Sequence, residues 1–264
     1  MAGSRFEVIA EIEPATRPDL TRVRHQVGVL APITDAFLIP DNHLGRATVS
    51  SIAVAHEVAS MGVSAIACLN SRDRNRLGFR RDLLTAAAYG VDRLLCVFGD
   101  QPASGGRSTD LNVAGMLDEV REFGSSQTFG GHGPFSVGVT TRLSTLPTWK
   151  QQADFLLVQA SFDLDALLRW RDSLHFDGPV FAGVLVVASV GMSKTLAEAT
   201  NQIDLPGTLL DQLDTDPDAG VEMACSLMHQ IKDSGAFDGV HLIPVGRYRT
   251  VAARLEANGW TIRR

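Results

Sequence analysis

Eight short apolar runs punctuate the chain: "FEVIAEI", "AFLI", "SAIACL", "RLLCVF", "FSVGV", "DFLLVQ", "VFAGVLVV" and "GVHLIPV". Each is aliphatic or β-branched and largely uninterrupted by polar residues, the pattern of a strand covered on both faces. Between them, apolar positions recur at helical spacing in "DLTRVRHQVGVL", "VSSIAVAHEVASMG", "RRDLLTAAAYG", "VAGMLDEVREFG" and "DLDALLRWRDSL". Gly62, Gly90 and Gly124 stand where such helices would end, suited to a left-handed cap.

Strand and helix therefore alternate. Eight such units in 264 residues match the size and order of a single (β/α)8 TIM-type barrel spanning 1–264, with a doubly wound open sheet as the competing arrangement. The segment after the first run, "EIEPATRPD", has no glycine, so the Rossmann phosphate fingerprint is missing there. "GDQPASGGRSTD" and "LPGTLLDQLDTDPDAG" read as long loops within one domain.

A barrel carries its chemistry in the loops at the C-terminal ends of its strands. That rule selects Glu11 and Glu13 after the first run, Asp41, Asn42 and His43 after the second, and Asn70 with the 72–76 cluster after the third. Asp100 follows the fourth run, Thr140, Thr141 and Arg142 end the fifth, Gln159 the sixth, Ser189 the seventh and Arg247 the eighth. Strand alternation sends Glu11 and Glu13 to the same face. The cluster "SRDRNR" is dense for a chain with 20% charged residues, and reads either as a solvated segment or as fixed donors bracing the rim. Arg72, Asp73 and Asn75 stand between bracing and ligand contact, whereas Arg80 and Arg81 belong to the following helix and read as solvated.

Composition narrows the partners. A 45% hydrophobic content supports a sizeable core, while a net charge of −6 and a pI near 5.6 give no basic footprint for nucleic acid or an anionic membrane. Cys68, Cys96 and Cys225 lie in apolar runs without metal-type spacing and read as reduced core thiols, so no metal is expected. The start "MAGSRFEVIAEIEP" lacks a charged segment followed by a long apolar stretch, and no apolar run is long enough to span a bilayer. The expectation is a soluble, cytoplasmic protein. His25, His56, His175 and His229 fall on helical segments as surface or packing residues, His43 and His132 fall in loops, and Trp149 and Trp170 read as packing residues.

Taken together, "AEIEP", "PDNHLGRATVSS", "CLNSRDRNRLGFRRDLLTAAAYGVDRLLCVFGD" and "LVQASFDLDALLRWRD" resemble the methylenetetrahydrofolate reductase family, in the same order over nearly the whole chain. The resemblance implies a (β/α)8 barrel that reduces 5,10-methylenetetrahydrofolate to 5-methyltetrahydrofolate, with a nicotinamide as electron source. It places the family's general acid on Glu11, with Glu13 as the alternative, and its active-site aspartate on Asp100. An apolar barrel mouth disfavours an ionised carboxyl, the condition a general acid needs. The same resemblance implies folate contacts for Gln159 and Arg247 (with Arg249 as backup); their places at the strand ends add Asn70 and Asp41 as further candidate folate contacts, and Asn42, Arg72, Asp73 and Thr140 as candidate cofactor contacts. Asp41 and Asn42 also read as a plain turn pair.

The sequence departs from the familiar flavoproteins of that family. Cys68 stands where they have a histidine, Phe98 where they have an arginine, and about a dozen residues between Thr141 and Asp154 leave no room for a full helix. The aromatic residue expected after the seventh run is replaced by Val190 or Met192. The expected partners are therefore a folate and NAD(P)H, with FAD implied by the family but not by these positions; a homo-oligomer is compatible with the sequence. A non-redox folate-binding barrel, such as a methyltransferase or ligand-binding paralogue, is the alternative.

Overall fold

The computed structural model describes residues 5–101, 105–125, 134–192 and 207–261. Its eight parallel strands close in chain order: β1 (Glu7–Glu11), β2 (Ala36–Ile39), β3 (Ser64–Asn70), β4 (Arg93–Val97), β5 (Ser136–Thr141), β6 (Phe155–Val158), β7 (Val180–Leu185) and β8 (Gly239–Ile243). β8 pairs back onto β1, Val240 against Val8, and this closure excludes the open doubly wound sheet. Outside lie α1 (Thr21–Leu30), α2 (Ser51–Ser60), α3 (Arg76–Ala88), α4 (Val113–Ser125), α5 (Leu164–Ser173), α6 (Gly207–Leu213), α7 (Ala219–Ser234) and α8 (Tyr248–Ala257).

Alternation along the strands sorts the core into two layers. Val8, Ala10, Phe37, Leu94 and Val240 turn outward under the helices, while Ile9, Leu38, Ile66, Leu95, Phe155, Leu157 and Phe181 fill the barrel. Phe155 and Phe181 meet edge to face with centroids 6.1 Å apart, and burying each ring is worth about 1.5–3 kcal/mol. Gly138 makes room for this plug, because a Cβ there would stand 2.1 Å from the Phe155 ring. At the N-terminal mouth, Arg93 donates to Glu7 at 2.6 Å and lies 5.4 Å from the Phe155 centroid. With that end filled, inward positions nearer the strand C-termini are left to line a site.

Several expectations need correction. Gly62 and Gly90 do take left-handed φ values of 79° and 67°, but Gly124 does not, because α4 runs on to Ser125. The stretch from "PG" to "DAG" is not one loop: it holds α6 and the start of α7. β7 stops at Leu185, short of the full "VFAGVLVV" run. The short β5 to β6 connection holds a single 3-10 turn, Thr148–Gln152, as its length demands. The three cysteines are free and buried, and burial pushes the Cys96 and Cys225 thiols up to about 12. No helix among the described residues is long and apolar enough to cross a membrane.

Candidate active site at the C-terminal rim

The rim divides into two halves. On the β2 to β4 side, Asn70 ends β3 fully buried and folds the next turn back on itself, its Oδ1 accepting from the Asp73 N–H at 3.0 Å. Its own backbone N–H donates to Asp41 Oδ2 at 3.0 Å. Arg74 pairs with Asp41 and, at 2.8 Å, with Asp82, all three side chains largely buried. Burial opposes the charge on Arg74, yet the two carboxylates hold its pKa above the ordinary guanidinium value.

Arg72 is 2% exposed and donates Nε to Asp73 Oδ1 at 2.6 Å, while another nitrogen reaches the Asp100 carbonyl. Asn42, held at a left-handed φ of 48°, donates to Asp73 Oδ2 at 2.8 Å. The Arg72 guanidinium, helped by the Asn42 amide, lowers the Asp73 carboxyl from 3.8 to about 2. Gly99 closes the turn: its φ is +89°, and a Cβ there would stand 2.9 Å from the Asn70 Cβ. Asn75 caps α3, accepting from the Gly78 N–H at 2.7 Å. Arg80 and Arg81 lie on α3 with exposed side chains, as expected of solvated residues, and each also makes an ion pair: Arg80 donates to the buried Glu119 of α4 at 2.5 Å, and Arg81 pairs with Asp82 at 2.9 Å.

Most of the residues expected to hold ligand on this side thus hold one another. Asn70, Asp41, Asn42, Arg72 and Asp73 form one continuous network. Asp100 sits at its edge, accepting from the Leu44 N–H at 2.7 Å through Oδ2, with no hydrogen bond from a described residue to Oδ1. Arg247 is also engaged, pairing with Asp218 at the head of α7, and Arg249 contacts His25.

The other half is open. A cavity of about 470 Å³ lies over the ends of β5, β6, β7 and β8, lined by Thr140, Arg142, Lys150, Gln159, Leu185 and His241 among others. The side chains of Thr140 and Gln159 make no hydrogen bond to a described residue, while the Gln159 backbone N–H is fixed on the Thr141 carbonyl at 2.8 Å. Burial, then the neighbouring Arg142, lowers the Lys150 pKa. His241 reaches from β8 toward β1, where its Nε2 lies 3.4 Å from the Glu11 carboxylate. Glu11, a fifth exposed, has no other ion pair to a described residue. Glu13 departs from the expected shared face: beyond the end of β1 it pairs with Arg22 of α1, and its N–H donates to Gln26 at 2.9 Å.

Sequence reasoning missed His241 because "GVHLIPV" reads as a continuous apolar strand. The signal was its parity: Val240 and Leu242 face the helices, so His241 must face the barrel. Of the four histidines expected on helices, His25 is edge-on to Tyr248, His56 stacked on Tyr89 and His229 edge-on to Trp260, whereas His175 lies beyond the end of α5 and is exposed. Trp170 packs in the core, its indole N–H donating to the Ser144 carbonyl at 2.9 Å. His43 is exposed, and His132 lies outside the described residues. No group of metal-ligating side chains occurs among the described residues.

Comparison with known proteins adds an independent line. A family model described as methylenetetrahydrofolate reductase matches residues 38–259. Among solved structures, a Clostridium thermocellum protein that binds two copies of 5-methyl-5,6,7,8-tetrahydrofolic acid is similar at 11% identity and a TM-score of 0.68, over 97% of this chain and 96% of that one. EDTA monooxygenase from Chelativorans sp. BNC1 aligns at 11% identity and 0.58, over 98% and 95%. Tryptophan synthase from M. tuberculosis aligns at 14% identity and 0.54, over 99% and 95%. At these identities the likeness is one of fold. No curated protein matches the sequence.

Proposed function

Since the chain belongs to the methylenetetrahydrofolate reductase family, we propose that it reduces 5,10-methylenetetrahydrofolate to 5-methyltetrahydrofolate with NAD(P)H as hydride donor. The observation that carries this reading is the cavity whose polar side chains are unspent, Gln159 and Thr140 on one wall and His241 beside Glu11 on the other. Ring opening needs a proton on N10 of the folate; the C–N10 bond then breaks and leaves a cationic N5 iminium. Glu11 supplies that proton. Hydride addition to the exposed methylene carbon completes the 5-methyl group and leaves NAD(P)+. Gln159 presents both a donor and an acceptor to the mixed edge of the pterin. The unspent Oδ1 of Asp100 offers compensating negative charge to the iminium, and Arg142 and Lys150 suit the anionic end of a bound ligand.

The residues do not fit a tightly bound FAD. The position held by a polar partner in the flavoproteins is Cys68, whose buried thiol is pushed well above its ordinary pKa. Phe98 occupies the arginine's place, covered by the Arg107 guanidinium 4.1 Å from its ring centroid. The 3-10 turn between β5 and β6 offers little wall for an adenosine diphosphate half. A dinucleotide needs several such contacts to offset the freedom it loses, so direct transfer from NAD(P)H to the iminium in a ternary complex is the proposed route. The test is NAD(P)H oxidation by colourless protein, with and without methylenetetrahydrofolate and FAD. Folate-dependent oxidation unaffected by FAD supports the proposal; strict FAD dependence or parallel initial-rate lines contradict direct transfer. Folate binding without oxidation returns the chain to a non-redox binder.

A further inference from the structure

Three buried side-chain atoms among the described residues have no hydrogen-bond partner: Thr34 Oγ1, Arg247 Nε and His241 Nε2. Thr34 precedes β2 at the closed end of the barrel, and Arg247 is anchored through another nitrogen to Asp218. His241 differs from both in lining the cavity, with a side chain only 9% exposed. An unpaired donor in such a place carries a cost that persists unless a partner forms during function. The nearby partner is the Glu11 carboxyl group, 3.4 Å away and not hydrogen-bonded.

We propose that His241 is a positioning residue that acts through Glu11, donating Nε2–H to the carboxylate formed when Glu11 gives up its proton. This rests on the reductase reading above. Before the transfer Glu11 is a neutral acid with little hold on the imidazole. Afterwards it is an anion, and a charge-assisted hydrogen bond is roughly twice as strong as a neutral one. The contact therefore strengthens along the reaction coordinate, which is the condition for it to raise turnover rather than mere binding. Other groups around the pair do not compete for this role. Ile9 of β1 and Gly183 of β7 flank His241 in the ladder and carry no charge. Cys68 of β3 is kept as a neutral thiol by burial, and Asp41 of β2 is held by Arg74. Arg142 and Lys150 line the same cavity from the β5 to β6 connection, as fixed cations toward ligand.

The test is steady-state kinetics on wild type, His241→Leu, His241→Gln, Glu11→Gln and the double variant Glu11→Gln/His241→Leu, with melting temperatures to separate lost fold from lost chemistry. His241→Leu should lower kcat about ten- to a hundredfold while both KM values stay within about threefold. The amide nitrogen of His241→Gln reaches nearly the same point and should bring kcat back to within about fivefold of wild type. In the Glu11→Gln background the leucine substitution should add no further loss, because the group it serves is gone. The solvent deuterium isotope effect on kcat should rise in His241→Leu as proton transfer becomes more limiting. Equal losses in both backgrounds, or a His241→Gln variant that melts like wild type but is no faster than His241→Leu, would overturn the proposal. An active wild type with an unimpaired His241→Leu removes this inference alone. A wild type with no folate-dependent NAD(P)H oxidation removes the reductase reading and this role together.

Discussion

The 70–76 turn and the ends of β6 and β8 share one rim and are both polar, yet they spend their polar atoms in opposite ways. In the turn, Asn70, Arg72, Asp73 and Arg74 are satisfied by Asp41, Asn42, Asp82 and one another, with hardly a donor left over. Across the barrel, Gln159 and Thr140 have no side-chain partner among the described residues, and His241 Nε2 is buried and unpaired beside Glu11. Charge density alone would favour the first region as the site; the reading proposed above rests instead on unspent hydrogen-bonding capacity around a cavity in the second. A polar group that already has its partner must break that bond before it can hold a ligand, so the dense cluster suits bracing and the sparse half suits binding.

Substitutions should separate the two halves. Arg74→Met leaves the buried Asp41 and Asp82 without their shared cation, and should cost about 3–5 kcal/mol of stability, measured by denaturant unfolding; a loss below about 1 kcal/mol would show that the network is not structural. Glu11→Gln should leave unfolding unchanged but reduce turnover by roughly a hundredfold or more. Glu13→Gln should be nearly silent, since that carboxylate already serves Arg22, and the reverse order would transfer the acid to Glu13. Gln159→Ala should weaken binding of a folate analogue about tenfold with no change in melting temperature, and unchanged affinity would move the pterin elsewhere. The smaller of the two stability effects concerns Asp73. Its carboxyl is held at about 2 rather than 3.8, so its contribution is present above the higher value and is lost as pH falls toward the lower. Asp73→Asn should therefore flatten the acid-induced loss of stability between those values by about 1 kcal/mol, solvent screening keeping it small. An unaltered acid limb would remove Asp73 from the network.

The barrel was legible in the sequence because strands covered on both faces must be short and apolar, and helices between them must show one apolar stripe. The placement of Glu11, Thr140 and Gln159 at the C-terminal ends of β1, β5 and β6 followed from the same pattern. What the sequence could not display was pairing between loops of neighbouring strands: Asp41 meets Arg74 and Asn42 meets Asp73 because parallel pairing sets the end of β2 beside the end of β3. His241 stayed hidden inside an apolar run, where one polar residue changes the hydrophobic pattern little. The helix α6 was missed because its neighbourhood is rich in glycine, proline and aspartate, which read locally as loop although the described segment packs Leu209 and Leu213 beside Val187.

The most direct test of where the chemistry lies is a crystal structure of the protein with 5-methyltetrahydrofolate bound. The account predicts the pterin in the cavity over β5 to β8, its donor and acceptor edge on the Gln159 amide and its N5 methyl facing the Glu11 and His241 pair, with the Asp41, Asn70 and Arg74 contacts undisturbed. A pterin held instead by Asn70, Arg72 or Asp73, with those contacts opened to receive it, would contradict it.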